Sequence, residues 1–189
     1  MKAVLLKSFG DAHQMYIGDT EKPQPKTNEI LVKVHATALN RADTLQRKGA
    51  YPPPSGASTI MGLEMAGEVV QLGAGTSKWK IGDKVCGLLA GGGYAEYVNI
   101  HEAMALPIPE NLNYETAAAI PEVFLTAFQV MYWLAELQTN EKILIHAGAS
   151  GVGTAAIQLA KLQSAEIFVT ASGGKHQACN KNFRTLQFG

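Results

Sequence analysis

The stretch Lys142-Ile-Leu-Ile-His-Ala-Gly-Ala-Ser-Gly-Val-Gly153 decides the fold of this chain. Its apolar residues Ile143 to Ile145 suit a buried parallel strand, and its glycines predict a turn. The next segment, Thr154-Ala-Ala-Ile-Gln-Leu-Ala-Lys161, has the periodicity of a helix packed on a sheet. In this order of strand, turn and helix, the start of the helix presents unpaired backbone N–H groups to a pyrophosphate. The stretch therefore predicts a dinucleotide-binding segment.

The glycines depart at one place from the dinucleotide fingerprint G-x-G-x-x-G. Gly148 takes its first position and Gly153 its third, but Ser150 stands at the middle one. A serine there either crowds the pyrophosphate or offers it a hydroxyl, and the backbone freedom of Gly151 favours the second. The opposing interpretation is a glycine-rich loop that only turns the chain. We predict that Gly148, Ser150, Gly151, Val152 and Gly153 bind the cofactor.

The segment after the second predicted strand selects between nicotinamide cofactors. An NAD-binding domain usually places Asp or Glu there, against the ribose 2′-hydroxyl. Here Glu166-Ile-Phe-Val-Thr170 leads into Ala171-Ser-Gly-Gly-Lys175, which has no acid, and Glu166 lies at the wrong end of the strand. A small polar loop with Ser172 and Lys175 suits a 2′-phosphate, so the sequence predicts NADPH over NADH. Lys175 as an ordinary solvated loop residue is the alternative.

Composition sets limits on partners and location. With 16 basic and 16 acidic side chains and 47% apolar residues, the 189-residue chain has no electrostatic attraction to nucleic acid or to an anionic membrane. No apolar run approaches the length of a membrane span, and the first residues lack a signal peptide's apolar core. Cys86 and Cys179 lie far apart and are typical of reduced cytosolic thiols. We expect a cytoplasmic protein without nucleic-acid or membrane partners.

The first 110 residues differ in texture from the rest. Short apolar or alternating runs separated by proline and glycine turns predict a compact β-barrel or distorted sandwich. These runs are Lys2 to Leu6, Glu29 to Ala36, Met65 to Leu72, Lys84 to Leu89 and Gly93 to Ile100. Tyr114 to Leu137 is predicted to be helical with an interruption at Pro121. After the nucleotide motif, Gly173 to Gly189 has weak helical periodicity and no clear third strand, as in an unfinished helix or a replaced tail.

The order of these segments and their local motifs resembles the medium-chain dehydrogenase/reductase superfamily, and within it the zinc-free quinone oxidoreductases. The motifs are Ala38-Leu-Asn-Arg-Ala-Asp43, Gly62-Leu-Glu-Met-Ala-Gly-Glu-Val-Val70, Trp79-Lys-Ile-Gly-Asp-Lys-Val85, Gly93-Tyr-Ala-Glu-Tyr97, Ala117-Ala-Ala-Ile-Pro121 and Leu125-Thr-Ala-Phe128. The resemblance extends from residue 1 to about residue 172 and covers a little more than half of a usual family member.

The resemblance implies an α/β fold with a β-rich part. Residues 1–110 are expected to form a GroES-like β-barrel catalytic domain, 111–140 linking helices, and 141–189 the first βαβ portion of a Rossmann NADPH-binding domain. That second domain is truncated, since a doubly wound sheet needs more strands. We therefore expect the 189-residue chain to have an uncovered sheet edge, to bind NADPH weakly or not at all, and to aggregate or depend on a partner. A homodimer is expected for a full-length relative.

A zinc site is not expected. Zinc-dependent members of the superfamily carry a cysteine where this chain has Asn40 and a histidine where it has Leu63, which leaves only Glu64. A zinc site needs about three protein ligands, and two cysteines cannot form a four-cysteine lobe. The histidines show no ligand spacing; they are His13, His35, His101, His146 and His176. We predict no metal.

Hydride transfer from NADPH to a quinone or a conjugated carbonyl is the chemistry that suits such a protein. In the reductases that this chain resembles, the residues at Asn40 and Tyr51 border the nicotinamide and the substrate. Tyr51 either donates a proton to the reduced oxygen or packs in a turn beside Pro52 to Pro54. Asp43 is predicted to cap or brace the helix that Asn40 opens. The alternative function is a non-catalytic family member that acts as an interaction or regulatory protein.

Overall fold

The buried apolar side chains of the described residues form three clusters, two before residue 122 and one after it. A computed structural model describes residues 1–172 and 184–185, and it divides the chain into two compact units, Met1–Glu122 and Val123–Gly189. The division falls inside 111–140, the segment predicted to link two domains. The predicted limits at residues 110 and 140 stay predictions.

In the first unit, strand β3 (Glu29–Ala36) is an interior strand of a five-stranded antiparallel sheet. Its residues Ile30, Leu31 and Val32 are fully buried because strands pair with it on both sides. These are β4 (Glu64–Leu72) and β6 (Tyr97–His101). Next to β4 lie β5 (Lys84–Leu88) and β7 (Ala105–Pro107), so the strand order is β6-β3-β4-β5-β7. Strands β1 (Lys2–Leu6) and β2 (Met15–Asp19) form a second, two-stranded sheet, with a short 3₁₀ helix at Ala12–Gln14 between them in sequence.

The predicted β-rich character of this unit is confirmed, with differences in detail. All five predicted strands form, but the last begins at Tyr97 and not at Gly93. Two strands were not predicted. In β2, four of five residues are exposed, so no alternation of apolar and polar residues marks it. Strand β7 has only three residues and ends in a proline, which is too short for any periodicity.

The first unit also contains two short α-helices. Helix α1 (Arg41–Arg47) begins at the residue after Asn40, and α2 (Tyr114–Ala118) packs Ala117 and Ala118 against the sheet. Helix α3 (Pro121–Phe128) restarts after a break, as a proline at the first helical position allows. It runs into a π-helix at Gln129–Leu134. The predicted interruption at Pro121 is confirmed, and the helical segment ends three residues earlier than predicted.

The second unit is built on a βαβ motif. Strand β8 (Lys142–Ile145) pairs in parallel with β9 (Glu166–Val169), and α4 (Gly151–Leu162) connects them. Alanines and one isoleucine of α4 pack against the strands; the buried ones are Ala155, Ala156, Ile157 and Ala160. The predicted strand, turn and helix are therefore confirmed.

The prediction that no third strand follows was wrong. A two-residue strand, β10 (Arg184–Thr185), pairs in parallel with β9. A strand of two residues is too short to leave a periodic pattern in the sequence. The rest of the predicted unfinished helix lies outside the described residues.

Candidate functional site

The turn between β8 and α4 requires glycine at two places because backbone approaches backbone or strand there. A Cβ atom on Gly153 would clash with the carbonyl oxygen of Ala147 and would lie 2.8 Å from the backbone of Gly148. A Cβ atom on Gly148 would lie 2.8 Å from the Cβ of Val169, the last residue of β9. The N–H of Gly148 also donates to the carbonyl of Thr170 at 2.9 Å. Glycine at these two positions allows α4 to begin close to the carboxyl ends of β8 and β9.

Ser150 is the N-cap of α4. Its hydroxyl oxygen accepts a hydrogen bond from the N–H of Gly153 at 3.0 Å, which sequence reasoning did not predict. The hydrogen of this hydroxyl remains available for donation. The N–H groups of Gly151 and Val152 belong to the first helical turn, where no intrahelical acceptor exists. The start of α4 is therefore an electropositive cradle of free donors.

The end of β9 carries a hydroxyl at the place where the sequence lacks an acid. The Thr170 oxygen accepts a hydrogen bond from the N–H of Ala147 at 3.2 Å and lies 3.1 Å from Nδ1 of His146. Which of the two groups donates in the contact between Thr170 and His146 depends on the tautomer of the imidazole. Ser172 is exposed two residues further on. Lys175 lies outside the described residues.

In the first unit, Asn40 is held in place at the start of α1. Its N–H donates to Oδ2 of Asp43 at 2.7 Å, which confirms Asp43 as a capping residue. The hydroxyl of Tyr94 donates to the same oxygen at 2.8 Å. Asp43 is buried, and its other oxygen, Oδ1, has no hydrogen-bond partner among the described residues. This carboxylate therefore depends on the two donors from Asn40 and Tyr94.

The side chain of Asn40 meets a second buried carboxylate. Its Nδ2 donates to Oε1 of Glu64 at 2.7 Å, and the N–H of Glu122 donates to Oε2 of Glu64 at 2.9 Å. Glu64 is the first residue of β4 and is 1% exposed. Sequence reasoning treated Glu64 only as the remnant of a zinc site. The available signal was an acid at the start of a strand that is otherwise apolar.

Burial and neighbouring acids shift the titration of this cluster. Burial raises the pKa of Glu64 above its ordinary value of 4.5, against the opposing effect of the hydrogen bonds from Glu122 and Asn40. The pKa of Glu122 is raised by burial and by the charges of Glu64 and Asp43. The pKa of Tyr94 is raised by burial, by its hydrogen bond to Asp43 and by the charges of Asp43 and Glu64. Tyr94 therefore stays a hydrogen-bond donor at neutral pH.

Tyr51 occupies a different environment from Asn40. It lies in a bend before Pro52 to Pro54 with 45% of its surface exposed. Within the described residues its hydroxyl makes no hydrogen bond, and none joins it to Asn40. Two grooves of about 950 and 590 Å³ lie in the first unit, and neither is lined by Asn40 or Tyr51. Leu39 and Tyr94, which adjoin the Asn40 network, line the smaller one.

The described residues contain neither a group of metal ligands nor a helix that could span a membrane. In residues 1–172 and 184–185, no three His, Cys, Asp or Glu side chains come together in a way that would hold a metal ion. The absence of a metal stays a prediction. In the same part of the chain, no helix has both the length and the apolar character to cross a membrane. Cys86 is buried with a free thiol, and burial raises its pKa.

A β-rich unit followed in sequence by a βαβ motif is the order of elements in alcohol-dehydrogenase-like proteins. Residues 26–110 match the family "Alcohol dehydrogenase GroES-like domain". The chain is 32% identical over 185 residues to the human synaptic vesicle membrane protein VAT-1 homolog, covering 96% of this chain and 47% of that protein.

Solved structures are similar to this chain over nearly its whole length. The CurK enoyl reductase is similar with a TM-score of 0.89 and 31% identity, over 97% of this chain and 59% of that one. The quinone oxidoreductase of Escherichia coli, solved in complex with NADPH, has a TM-score of 0.88 and 31% identity, over 99% and 58% of the two chains. The chain thus spans about half the length of the curated relatives it matches.

This chain belongs to the medium-chain dehydrogenase/reductase superfamily, among its zinc-free members that are like quinone oxidoreductases. The predicted GroES-like fold of the β-rich part is confirmed with it. The family includes oxidoreductases, among them an enoyl reductase and a quinone oxidoreductase.

Proposed function

We propose that this protein belongs to an NADPH-dependent reductase that transfers a hydride to a quinone or a conjugated carbonyl without a metal. The observation that carries the proposal is the cradle at residues 148–153, where α4 starts with free N–H groups and where glycines leave room for close approach. An NADPH-bound quinone oxidoreductase and an enoyl reductase among the similar structures support it.

The cradle fits the pyrophosphate of a dinucleotide. The donors are the N–H groups of Gly151 and Val152, and the hydroxyl hydrogen of Ser150 adds a third. A side chain at Gly153 would push the helix away from the turn, so glycine there preserves the cradle. Gly148 does the same toward β9. These residues would bind and orient the cofactor, and the nicotinamide supplies the hydride.

The preference for NADPH rests on the residues directly after β9. Thr170 offers the ribose a hydroxyl that already bonds Ala147 and His146, and no carboxylate is present up to Ser172 to accept from a 2′-hydroxyl. A carboxylate there would also repel a 2′-phosphate, so its absence favours NADPH. Lys175 is proposed to pair with that phosphate.

Asn40 and Tyr51 are the proposed contributions of the first unit to the reaction. Glu64 holds the side-chain amide of Asn40 and Asp43 holds its backbone N–H, so Asn40 presents a rigid polar group to a ligand. Tyr51 has an unbonded, partly exposed hydroxyl, which would donate a proton to the oxygen that gains negative charge in the acceptor. The homodimer, the cytoplasmic location and the absence of nucleic-acid and membrane partners stay predictions.

The test is acceptor-dependent oxidation of NADPH and NADH by the purified protein, with a small quinone and with an α,β-unsaturated ketone. We expect kcat/KM to be at least about tenfold higher for NADPH, which corresponds to about 1.4 kcal/mol. No oxidation of either nicotinamide with both acceptors would overturn the proposal. It would favour the non-catalytic, interaction-protein alternative.

A Ser150→Asp variant separates helix capping from phosphate binding. Aspartate is as good an N-cap as serine, so the stability of α4 should be preserved. Its charge would repel the pyrophosphate, and we expect the Kd for NADPH to rise about tenfold or more. Ser164→Asp, an equal change of charge at an exposed position beyond the other end of α4, is the control and should leave Kd unchanged.

A further inference from the structure

Glu64 is a buried acid whose two carboxylate oxygens each have one assigned donor. Oε1 accepts from Nδ2 of Asn40 at 2.7 Å, and Oε2 accepts from the backbone N–H of Glu122 at 2.9 Å. Only 1% of the residue is exposed. Among the described residues, no Lys, Arg or His forms a salt bridge with it. A buried carboxylate without a cation is costly, so its presence requires a reason beyond packing.

The chemistry of the carboxylate fixes the direction of the Asn40 amide. An ionised carboxylate only accepts hydrogen bonds, so it must face the NH₂ end of the amide. The carbonyl oxygen, Oδ1, is then directed away from Glu64 and towards the backbone N–H of Asp43, its partner in the capping box at the start of α1. A carbonyl oxygen has two lone pairs, so it retains one for a ligand. Because Asp43 holds the N–H of Asn40 as well, main chain and side chain are fixed independently.

We propose that Glu64 is a positioning residue that orients the Asn40 amide so that Oδ1 is presented as an acceptor to the bound ligand. This inference rests on the proposed function, in which Asn40 contacts cofactor or substrate. The ligand group that it selects is a hydrogen-bond donor, such as an amide N–H or a hydroxyl. A nicotinamide carries such an amide.

The competing account is that Glu64 only braces the first turn of α3 through Glu122. The two accounts differ in what happens to Asn40 when Glu64 is made neutral. In Glu64→Gln, the new side chain offers one carbonyl oxygen to two donors, so one of the two hydrogen bonds must be lost or reversed. A brace predicts lower stability with an unchanged amide, whereas positioning predicts a changed amide.

Glu102→Gln is the matched control. Glu102 is also buried in the first unit, and its Oε2 accepts from the N–H groups of Ser77 and Lys78 at 2.8 and 2.9 Å. The same change of charge there disturbs a buried, hydrogen-bonded acid that has no bond to Asn40. Any effect shared by both variants reports general destabilisation.

The direct readout is the side-chain NH₂ signal of Asn40 in a ¹H–¹⁵N correlation spectrum of the chain, assigned with Asn40→Ser. We expect Glu64→Gln to shift this signal and to speed its hydrogen exchange about tenfold or more, while Glu102→Gln leaves both unchanged. An Asn40 signal that is the same in Glu64→Gln as in the parent would overturn the proposal.

If Glu64→Gln does not fold, a pH titration of the parent chain gives the same information. The Asn40 NH₂ signal should follow the ionisation of Glu64, whose neighbours that titrate are Asp43 from α1, Glu122 from α3, Cys86 from β5 and Tyr94. Selective ¹³C labelling of glutamate carboxyls distinguishes the titration of Glu64 from that of Glu122. An Asn40 signal that does not follow Glu64 would overturn the proposal.

Kinetics separate this inference from the function on which it rests. In an active parent, Glu64→Gln should lower kcat/KM about tenfold, and adding it to Asn40→Ala should cause little further loss because both act through one group. An active parent whose kcat/KM is unaffected by Glu64→Gln overturns the positioning role alone. A parent without activity overturns the proposed function and this role with it.

Discussion

Gly153 shows how one hydrogen atom in place of a side chain determines where α4 begins. An alanine in a helix is normally more stable than glycine by up to about 1 kcal/mol. At Gly153 the added Cβ would meet the backbone of Ala147 and Gly148, which cannot move aside without opening the turn. Gly151 is different, because a Cβ there meets no backbone atom and only the Cγ1 methyl group of Val123, at 3.1 Å.

We therefore expect Gly153→Ala to destabilise the second unit by about 1–3 kcal/mol, the usual cost of overpacking. Gly151→Ala should change its stability by no more than about 0.5 kcal/mol. Hydrogen exchange of the α4 amides measures both. Equal protection in the two variants would show that the close approach at Gly153 has no energetic role.

Ser150 illustrates what the sequence predicts at the level of one residue and what it misses. Its position in the fingerprint identified it as a phosphate-facing residue, because glycine spacing is visible in the sequence. Its role as N-cap depends on which N–H groups lie within reach of the hydroxyl, which is a property of the folded turn. Lys175 remains a prediction from the sequence alone.

At the scale of elements, α1 depends on a hydrogen bond that arrives from a distant part of the chain. The hydroxyl of Tyr94 donates to Asp43, which in turn accepts from the N–H of Asn40. Tyr94→Phe would leave a buried carboxylate with one donor, and we expect a loss of about 1–3 kcal/mol in unfolding free energy of the first unit.

Tyr97→Phe is the control for that substitution. The Tyr97 ring lies under the Lys22 ammonium at 3.9 Å, and its hydroxyl makes no hydrogen bond within the described residues. Removing that hydroxyl should cost little, as for most surface changes. Chemical denaturation of both variants is the measurement. If Tyr94→Phe were as stable as Tyr97→Phe, the Asp43 network would not hold the start of α1.

The elements that could be predicted are those whose apolar residues form a recognisable pattern in the sequence. Strand β3 and the unit from β8 to β9 are runs of apolar residues bounded by turns, and both were predicted almost to the residue. Strands β2 and β10 have no such pattern. The pairing of Glu64 with Asn40 joins residues 24 apart in sequence, so only the fold shows it.

At the scale of the whole molecule, the buried acids give stability a defined dependence on pH. The pKa of Glu64 and that of Glu122 are raised in the folded state, so the folded protein holds protons that the unfolded chain releases. Where the folded state binds more protons, stability falls as pH rises. This contribution is present near and below the ordinary value of 4.5 and is lost as pH rises through the raised values.

Denaturant unfolding of the parent and of Glu64→Gln at a series of pH values from about 4 to 8 isolates the part due to Glu64. We expect the parent to lose unfolding free energy relative to the variant as pH rises through the raised pKa of Glu64. A parent that gains stability relative to the variant over that range would mean that hydrogen bonds from Asn40 and Glu122 outweigh burial.

The order of strands and helices along the chain identifies its superfamily, although the chain spans only about half the length of the relatives that it matches. The central claim is narrower: a nicotinamide dinucleotide binds with its pyrophosphate at the start of α4. The most direct test is a titration of the ¹⁵N-labelled chain with NADPH, with backbone amide signals followed individually. We predict saturable shifts at Gly151, Val152 and Gly153 that are larger with NADPH than with NADH. Saturable binding that leaves these three amides unmoved would contradict the account.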